Sequence, residues 1–334
     1  MWVVVATLTS LTVMSDDTEL QEFAVLAEGL RFPEGPVWCP DGSLLVVEIA
    51  GERLVRVRPL SGGGWSAPET VAEIPGGPNG AALGPQGEVY VCNNGGCFEW
   101  TSRGPALFPG PRPDSYAGGS VQRVDIVSGS IETLYTTSTA ADGSTVALRA
   151  PNDLVLDGHG GLWFTDHGTS DARKSDRTGI HYALLDGSSC REVVFPTESP
   201  NGIGLSPNGD TLYWAETHTG RVFARTILEP GVLGPAGAYR GCVAGLPGFQ
   251  LLDSLAVDGD GNVCVATLMR GGITVVSPSG SFHHVAMPAS AMDAMTTNIA
   301  FGGPEFRTAF VTLSSTGRLI AVPWPTPGLR LVGQ

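Results

Sequence analysis

Six side chains that can offer oxygen recur at one register along this chain of 334 residues: Glu34, Asn79, Asn152, Asn201, Asp253 and Asn298. Each lies seven residues ahead of a turn anchor, at Asp41, Gln86, His159, Asn208, Asp260 and Glu305. Asn and Asp favour the turns that precede strands. That preference accounts for Asn79-Gly80 and Asn201-Gly202. It does not account for Glu34, or for the absence of Ser, Thr and Gly from every slot. Two carboxylates with amide carbonyls make an all-oxygen set. Such a set suits one hard divalent cation, Ca²⁺ first, with Mg²⁺, Mn²⁺ or Zn²⁺ as substitutes. Burying a carboxylate is costly unless a cation or donors meet it, and Glu34 sits just ahead of an apolar run. Six residues cannot all reach one ion, so some of them are expected to hold substrate or water.

A bound divalent cation polarises an ester carbonyl and lowers the pKa of water. A general base must then take a proton. Asp253 is the first candidate, as a ligand with a spare oxygen. Asp166 and His167, in Phe164-Thr165-Asp166-His167-Gly168, are the second. His218 reads as a hydrogen-bonded loop residue, and His283-His284 as surface. Asn94, in Asn93-Asn94-Gly95-Gly96, is expected at the channel mouth as a substrate contact. No Gly-x-Ser-x-Gly elbow occurs, which disfavours a serine hydrolase. The run Ser61-Gly62-Gly63-Gly64 lacks the context of a phosphate loop.

These residues need elements to hold them in one ring. Each anchor sits between two short apolar runs. The leading runs are Pro36–Trp38, Ala81–Leu83, Leu154–Leu156, Ile203–Leu205, Leu255–Val257 and Ile299–Phe301. The following runs are Leu44–Val47, Val89–Val91, Leu162–Phe164, Leu212–Trp214, Val263–Val265 and Ala309–Thr312. Anchor spacings are 45, 73, 49, 52 and 45 residues, close to the period of a four-stranded propeller blade. The long interval is expected to hold an insertion, roughly Cys97 to Gly119, with Phe98, Trp100, Arg103 and Tyr116 as a candidate lid. The expected fold is all-β: one six-bladed β-propeller of four-stranded blades over 21–334, preceded by an extension over 1–20. A strand within Glu22–Leu26 is expected to close the ring on blade six. The first strand of each blade lines the channel, so the six register-matched residues converge on the axis.

Composition bounds the function. The chain is 42% hydrophobic and 16% charged, enough apolar residue for a core. A net charge of −14 argues against nucleic acid as partner. The apolar start, Met1–Ser10, is too short to span a membrane and lacks a basic leader region. The expected location is therefore the bacterial cytoplasm, with secretion left open. The state expected is monomer or homodimer. Six scattered cysteines are expected to be reduced, with no zinc-thiolate spacing.

Phe32-Pro33-Glu34-Gly35-Pro36-Val37-Trp38, Ala150-Pro151-Asn152-Asp153, Ser199-Pro200-Asn201-Gly202 through Tyr213, and Thr297-Asn298 through Gly303 resemble the SMP-30/gluconolactonase/LRE family. The resemblance runs from about residue 25 to about 325. It implies a six-bladed propeller with one catalytic divalent cation on the axis and hydrolysis of lactones, mostly sugar lactones. Glu34, Asn201 and Asp253 match the family's metal ligands, and Asn152 matches a residue that contacts substrate and metal. Ser254 stands where the family has Gly. Ala150 stands where sugar lactonases carry Arg, with Arg149 beside it, so a less polyhydroxylated lactone or ester is expected. The metal set is thus Glu34, Asn152, Asn201 and Asp253. Asp253, Asn152 and His167 are the catalytic set. Asn79, Asn94, Arg149, Asp166 and Asn298 are the substrate set. The alternatives are an aryl-ester or phosphotriester hydrolase on the same propeller, and a non-hydrolytic lyase or binding propeller.

Overall fold

Short apolar runs separated by glycine turns build six antiparallel sheets, each buried on both faces by its neighbours. The computed structural model describes residues 18–20 and 22–334; the apolar start of the chain lies outside them. The innermost strands are Pro33–Trp38, Pro78–Leu83, Pro151–Leu156, Pro200–Leu205, Leu251–Val257 and Thr296–Gly302. Each pairs with the strand after its turn: Leu44–Glu48, Val89–Asn93, Gly161–Asp166, Thr211–Glu216, Val263–Leu268 and Thr308–Leu313. Leu44, Leu45, Val46 and Val47 are all fully buried. A continuous apolar run of this kind is what a strand covered on both faces requires. The ring closes as expected. Ala24–Ala27 is the outer strand of blade six, antiparallel to Arg318–Pro323. Thr18–Glu19 runs parallel to Phe282–Ala286, the outer strand of blade five.

Two additions fill the long interval. One is the expected insertion, carrying the hairpin of Trp100–Arg103 with Ala106–Pro109. The other was not expected: Thr137–Thr139 with Thr145–Ala147, which widens the sheet of blade three. Its short Ser/Thr-rich strands carry too little apolar alternation to register as strands. His284 also departs from expectation. It is a buried residue of the outer strand of blade five, its Nδ1 3.1 Å from Thr274 Oγ1. All six cysteines are free thiols. Among the described residues no helix is long and apolar enough to cross a membrane.

Two local devices set the ring of polar residues. First, the innermost pairing slips in every blade beside its ring residue, as between Glu34 and Val37 or Leu252 and Leu255. A slip of this kind re-aims the side chain. Second, the inner strands crowd each other. A Cβ on Gly80 would lie 2.6 Å from the Asn152 carbonyl oxygen, and one on Gly202 2.5 Å from the Leu255 nitrogen. Glycine follows the ring residue at 35, 80 and 202 because the next blade's backbone fills that space. Gly202→Ala is accordingly expected to lower stability by about 1–3 kcal/mol. Urea unfolding measures this, and an unchanged midpoint would disprove the close approach.

The axis differs along its length. Beyond the ring it is apolar, walled by Leu83, Leu156, Leu205 and Phe301 and filled by Leu329 and Val332. On the other side of the ring lies a second cavity, lined by five of the ring residues.

Candidate metal centre and active site

The cavity above the ring has a volume of about 200 Å³. Glu34, Asn79, Asn152, Asn201 and Asp253 all line it. Asn298, the sixth ring residue, turns instead to Glu34: its Nδ2 donates to Oε2 at 2.7 Å. The Gly35 amide donates to the same oxygen at 2.9 Å. Asn298 therefore orients Glu34 and is not part of the wall offered to substrate. Asn201 Nδ2 donates to Thr217 Oγ1 at 3.1 Å, and Thr165 Oγ1 donates to the Asn201 carbonyl at 2.6 Å. The buried Asn152 Oδ1 has no hydrogen-bond partner.

The electrostatics of this floor are unfavourable without a cation. Burial raises the pKa of Glu34, against the hydrogen bonds from Asn298 and Gly35 that lower it. Burial raises Asp253 well above the ordinary carboxylate range, and the Glu34 charge adds to the rise. Asp153 belongs to the same cluster: burial, then Glu34, push it up to about 7. Three carboxyl groups out of water and close enough to repel call for positive charge. Among the described residues no group of three His, Cys, Asp or Glu side chains makes a ready metal cluster. The oxygen-bearing groups that could hold a cation here are Glu34 and Asp253, with the asparagine amides beside them. Oxygen donors of this kind, one of them an orphaned amide oxygen, fit a hard divalent cation.

The second strands supply the cavity's upper wall by a rule of their own. Glu48, Asn93, Asp166 and Glu216 stand opposite the prolines that open the inner strands. Each turns its side chain to the backbone of the incoming loop. Glu48 accepts from the Arg31 amide at 2.8 Å, Asn93 from Gly77 at 2.9 Å, and Glu216 from Glu198 at 3.2 Å. Asp166 accepts from the Arg149 and Ala150 amides, each at 2.7 Å, and from Gly168 at 3.1 Å. This corrects the substrate role expected for Asp166: both its oxygens brace a loop. The residue after each brace faces inward. Ile49, Asn94, His167 and Thr217 line the cavity, as does Leu268 in blade five.

His167 thus sits in the wall, its ring 5.7 Å from that of His218, which lines it too. Burial, reinforced by His218, lowers His167 to about 4. It is a neutral imidazole at neutral pH. His218 bonds to Ser199 Oγ at 2.7 Å, as a loop histidine would, yet also faces the site. Asn94 accepts the Gly96 amide at 3.0 Å, while its buried Nδ2 is without a partner. Arg149 is placed elsewhere. Its guanidinium pairs with Asp176 at 3.1 Å and lies over the Tyr116 ring, outside the lining residues. The alternation of a strand edge sends it away from the wall that Ala150 joins.

The inserted hairpin roofs the mouth. Phe98 and Trp100 pack with Phe32, Ile49, Leu107 and Met295. The Leu107 amide donates to the Ser315 carbonyl at 2.8 Å, across the opening in blade six. Arg112 donates to Thr169 Oγ1 at 2.9 Å, tying the insertion to the polar loop of blade three.

Comparison with known proteins agrees with this fold. A lactonase drp35 of Staphylococcus saprophyticus is 33% identical over 136 residues, which span 39% of this chain and 39% of that relative's length. A gluconolactonase of Xanthomonas campestris shares the fold at a TM-score of 0.67, with 20% identity over 94% of this chain and 96% of that one. A regucalcin of Agrobacterium tumefaciens, described as a calcium-binding protein, also superposes at 0.67, with 16% identity over 94% of this chain and 99% of that one. Residues 32–315 match the sequence pattern of the SMP-30/gluconolactonase/LRE-like region, so the chain belongs to that family of propellers.

Proposed function

We propose that this chain is a divalent-cation-dependent hydrolase that opens a lactone or a closely related ester. The observation that carries the reading is the cluster of buried carboxyls, Glu34, Asp153 and Asp253, beside an orphaned Asn152 oxygen. Glu34, Asn152, Asn201 and Asp253 would hold the cation, Ca²⁺ in the first instance. When bound, such a cation supplies positive charge for an ester carbonyl oxygen and for the ionisation of water.

The chain's own residues do the rest. Asn298 and Gly35 fix the Glu34 carboxylate. Asn94 Nδ2, buried and unpartnered, offers a hydrogen bond to a substrate oxygen. Of the groups in the cavity able to accept a proton, Glu34 and His218 among them, Asp253 and the neutral His167 are assigned that part. The roof of Phe98 and Pro109 limits water at the centre.

The test is a panel of γ- and δ-lactones, an aryl acetate and a phosphotriester, run on protein stripped of metal and then resupplied with Ca²⁺, Mn²⁺ or Zn²⁺. Lactone turnover is expected only after a metal is returned. Turnover that survives chelation, or calorimetry without metal binding, would exclude the reading. Preference for the phosphotriester would select the alternative hydrolase on the same centre.

A further inference from the structure

The geometry points to an uncharged lactone bearing an apolar substituent as the preferred substrate, an inference that rests on the lactone-hydrolase reading above. The cavity is two-faced. Its polar arc comes from blades two to four, with Asn94, His167, Thr217 and His218. Its apolar arc runs from blade five through blade six to blade one and the inserted roof. There Leu251, Leu268, Met295, Phe32, Ile49 and Phe98 form the wall. The apolar arc is not an accident of one side chain. Ile49 and Leu268 occupy the wall positions that hold Asn94, His167 and Thr217 in the other blades. Phe32, Ile49, Met295 and Phe98 also belong to a packed cluster, so this side is held in shape before any ligand arrives.

Charge agrees with this assignment. Among the described residues that line the cavity there is no Arg or Lys. Arg149, next to Ala150 of the wall, pairs with Asp176 outside the lining. Away from the proposed cation, a substrate carboxylate would find no side-chain cation to receive it. A hydroxyl on the apolar side would be buried without a partner, and a site of that kind rejects it. An alkyl group there gives up water for carbon. Each methylene that enters raises transition-state binding about three- to four-fold.

The experiment uses the full Ca²⁺-loaded chain and one ring size. δ-Valerolactone, δ-octalactone, δ-decalactone and glucono-δ-lactone are compared by kcat/KM. The expected result is a rise of about three- to four-fold per methylene over the first few carbons, with glucono-δ-lactone the poorest substrate. Phe98→Ser and Met295→Gln are each expected to reduce the decalactone-to-valerolactone ratio at least several-fold. The wild-type series stands alone as a test if either variant fails to fold. A flat or falling series, or faster turnover of glucono-δ-lactone than of δ-decalactone, overturns the apolar assignment and leaves the hydrolase reading standing. Turnover of no lactone under any metal overturns both, and chelation-sensitive turnover of any one of them separates the two failures.

Discussion

Glu34→Gln and Asp253→Asn are each expected to lower kcat/KM on a lactone by about 10²–10³-fold and to abolish calorimetric Ca²⁺ binding. Each removes one of the two formal charges among the proposed ligands while keeping the size and the hydrogen-bonding ends of the side chain. Ca²⁺ is held by charge as much as by geometry, so an amide oxygen is a poor replacement. Loss of fold is the rival explanation, and it makes the opposite prediction for stability. Both carboxyls are buried and repel each other. Removing one is expected to leave the metal-free protein at least as stable as the metal-free wild type. Variants that bind Ca²⁺ with wild-type affinity would show that the two carboxylates are not its ligands.

The second expected result is a stability profile of the metal-free protein against pH. Glu34, Asp153 and Asp253 have folded pKa values above their unfolded ones. Between those values the folded state holds more protons, so their contribution makes stability fall as pH rises. The buried histidines act in the other direction. His167 and His181 are lowered to about 4 and about 3 by burial. They add stability as pH rises towards their unfolded value of about 6.5. Only well above pH 6.5 do the histidines cease to differ between the states. The carboxyls oppose them, Asp153 until about 7, with Asp253 also raised well above the ordinary carboxylate range.

Measured against Ca²⁺-loaded protein, in which the histidines cancel, the metal-free protein should therefore lose stability as pH rises towards and through about 7, at up to about 1.4 kcal/mol per pH unit for each proton held only in the folded state. Ca²⁺ at a hundred times its dissociation constant should add about 2.7 kcal/mol and flatten the decline. Calorimetric scans of stripped and loaded protein measure both. A gap between loaded and stripped midpoints that is level or narrows as pH rises through about 7 contradicts the account.

Much of this was legible before any coordinates. The inner strands are short apolar runs between glycine turns, and that pattern carries the blade repeat directly. The polar ring was legible because one register offset recovered Glu34, Asn79, Asn152, Asn201, Asp253 and Asn298 together. Asp153 was not singled out. Its position holds Gly in three of the other blades, and that contrast was its only mark. Only the packing of inner strands explains it: the missing Cβ at Gly80 leaves room for the Asp153 carboxylate, whose Oδ1 would lie 2.8 Å from that Cβ. Asp166 was read as a substrate contact from its place at a strand end, and Arg149 from standing beside Ala150, where sugar lactonases carry Arg. The loop that folds over Asp166 supplies its partners, and a loop's path is not written in periodicity. Thr217 and the apolar arc were missed for the same reason. They follow the brace residues by one, a rule visible only once the braces are known.

One hydrogen bond has a meaning for how the site is made. Asn298 and Glu34 are 264 positions apart, and they meet only where the last blade is completed by a strand from the start of the chain. Closing so large a loop carries an entropic cost that no local contact offsets. During synthesis Glu34 leaves the ribosome first and waits for nearly every other residue. The bond that orients Glu34 therefore needs both ends of the chain in place, and its presence certifies that the ring has closed.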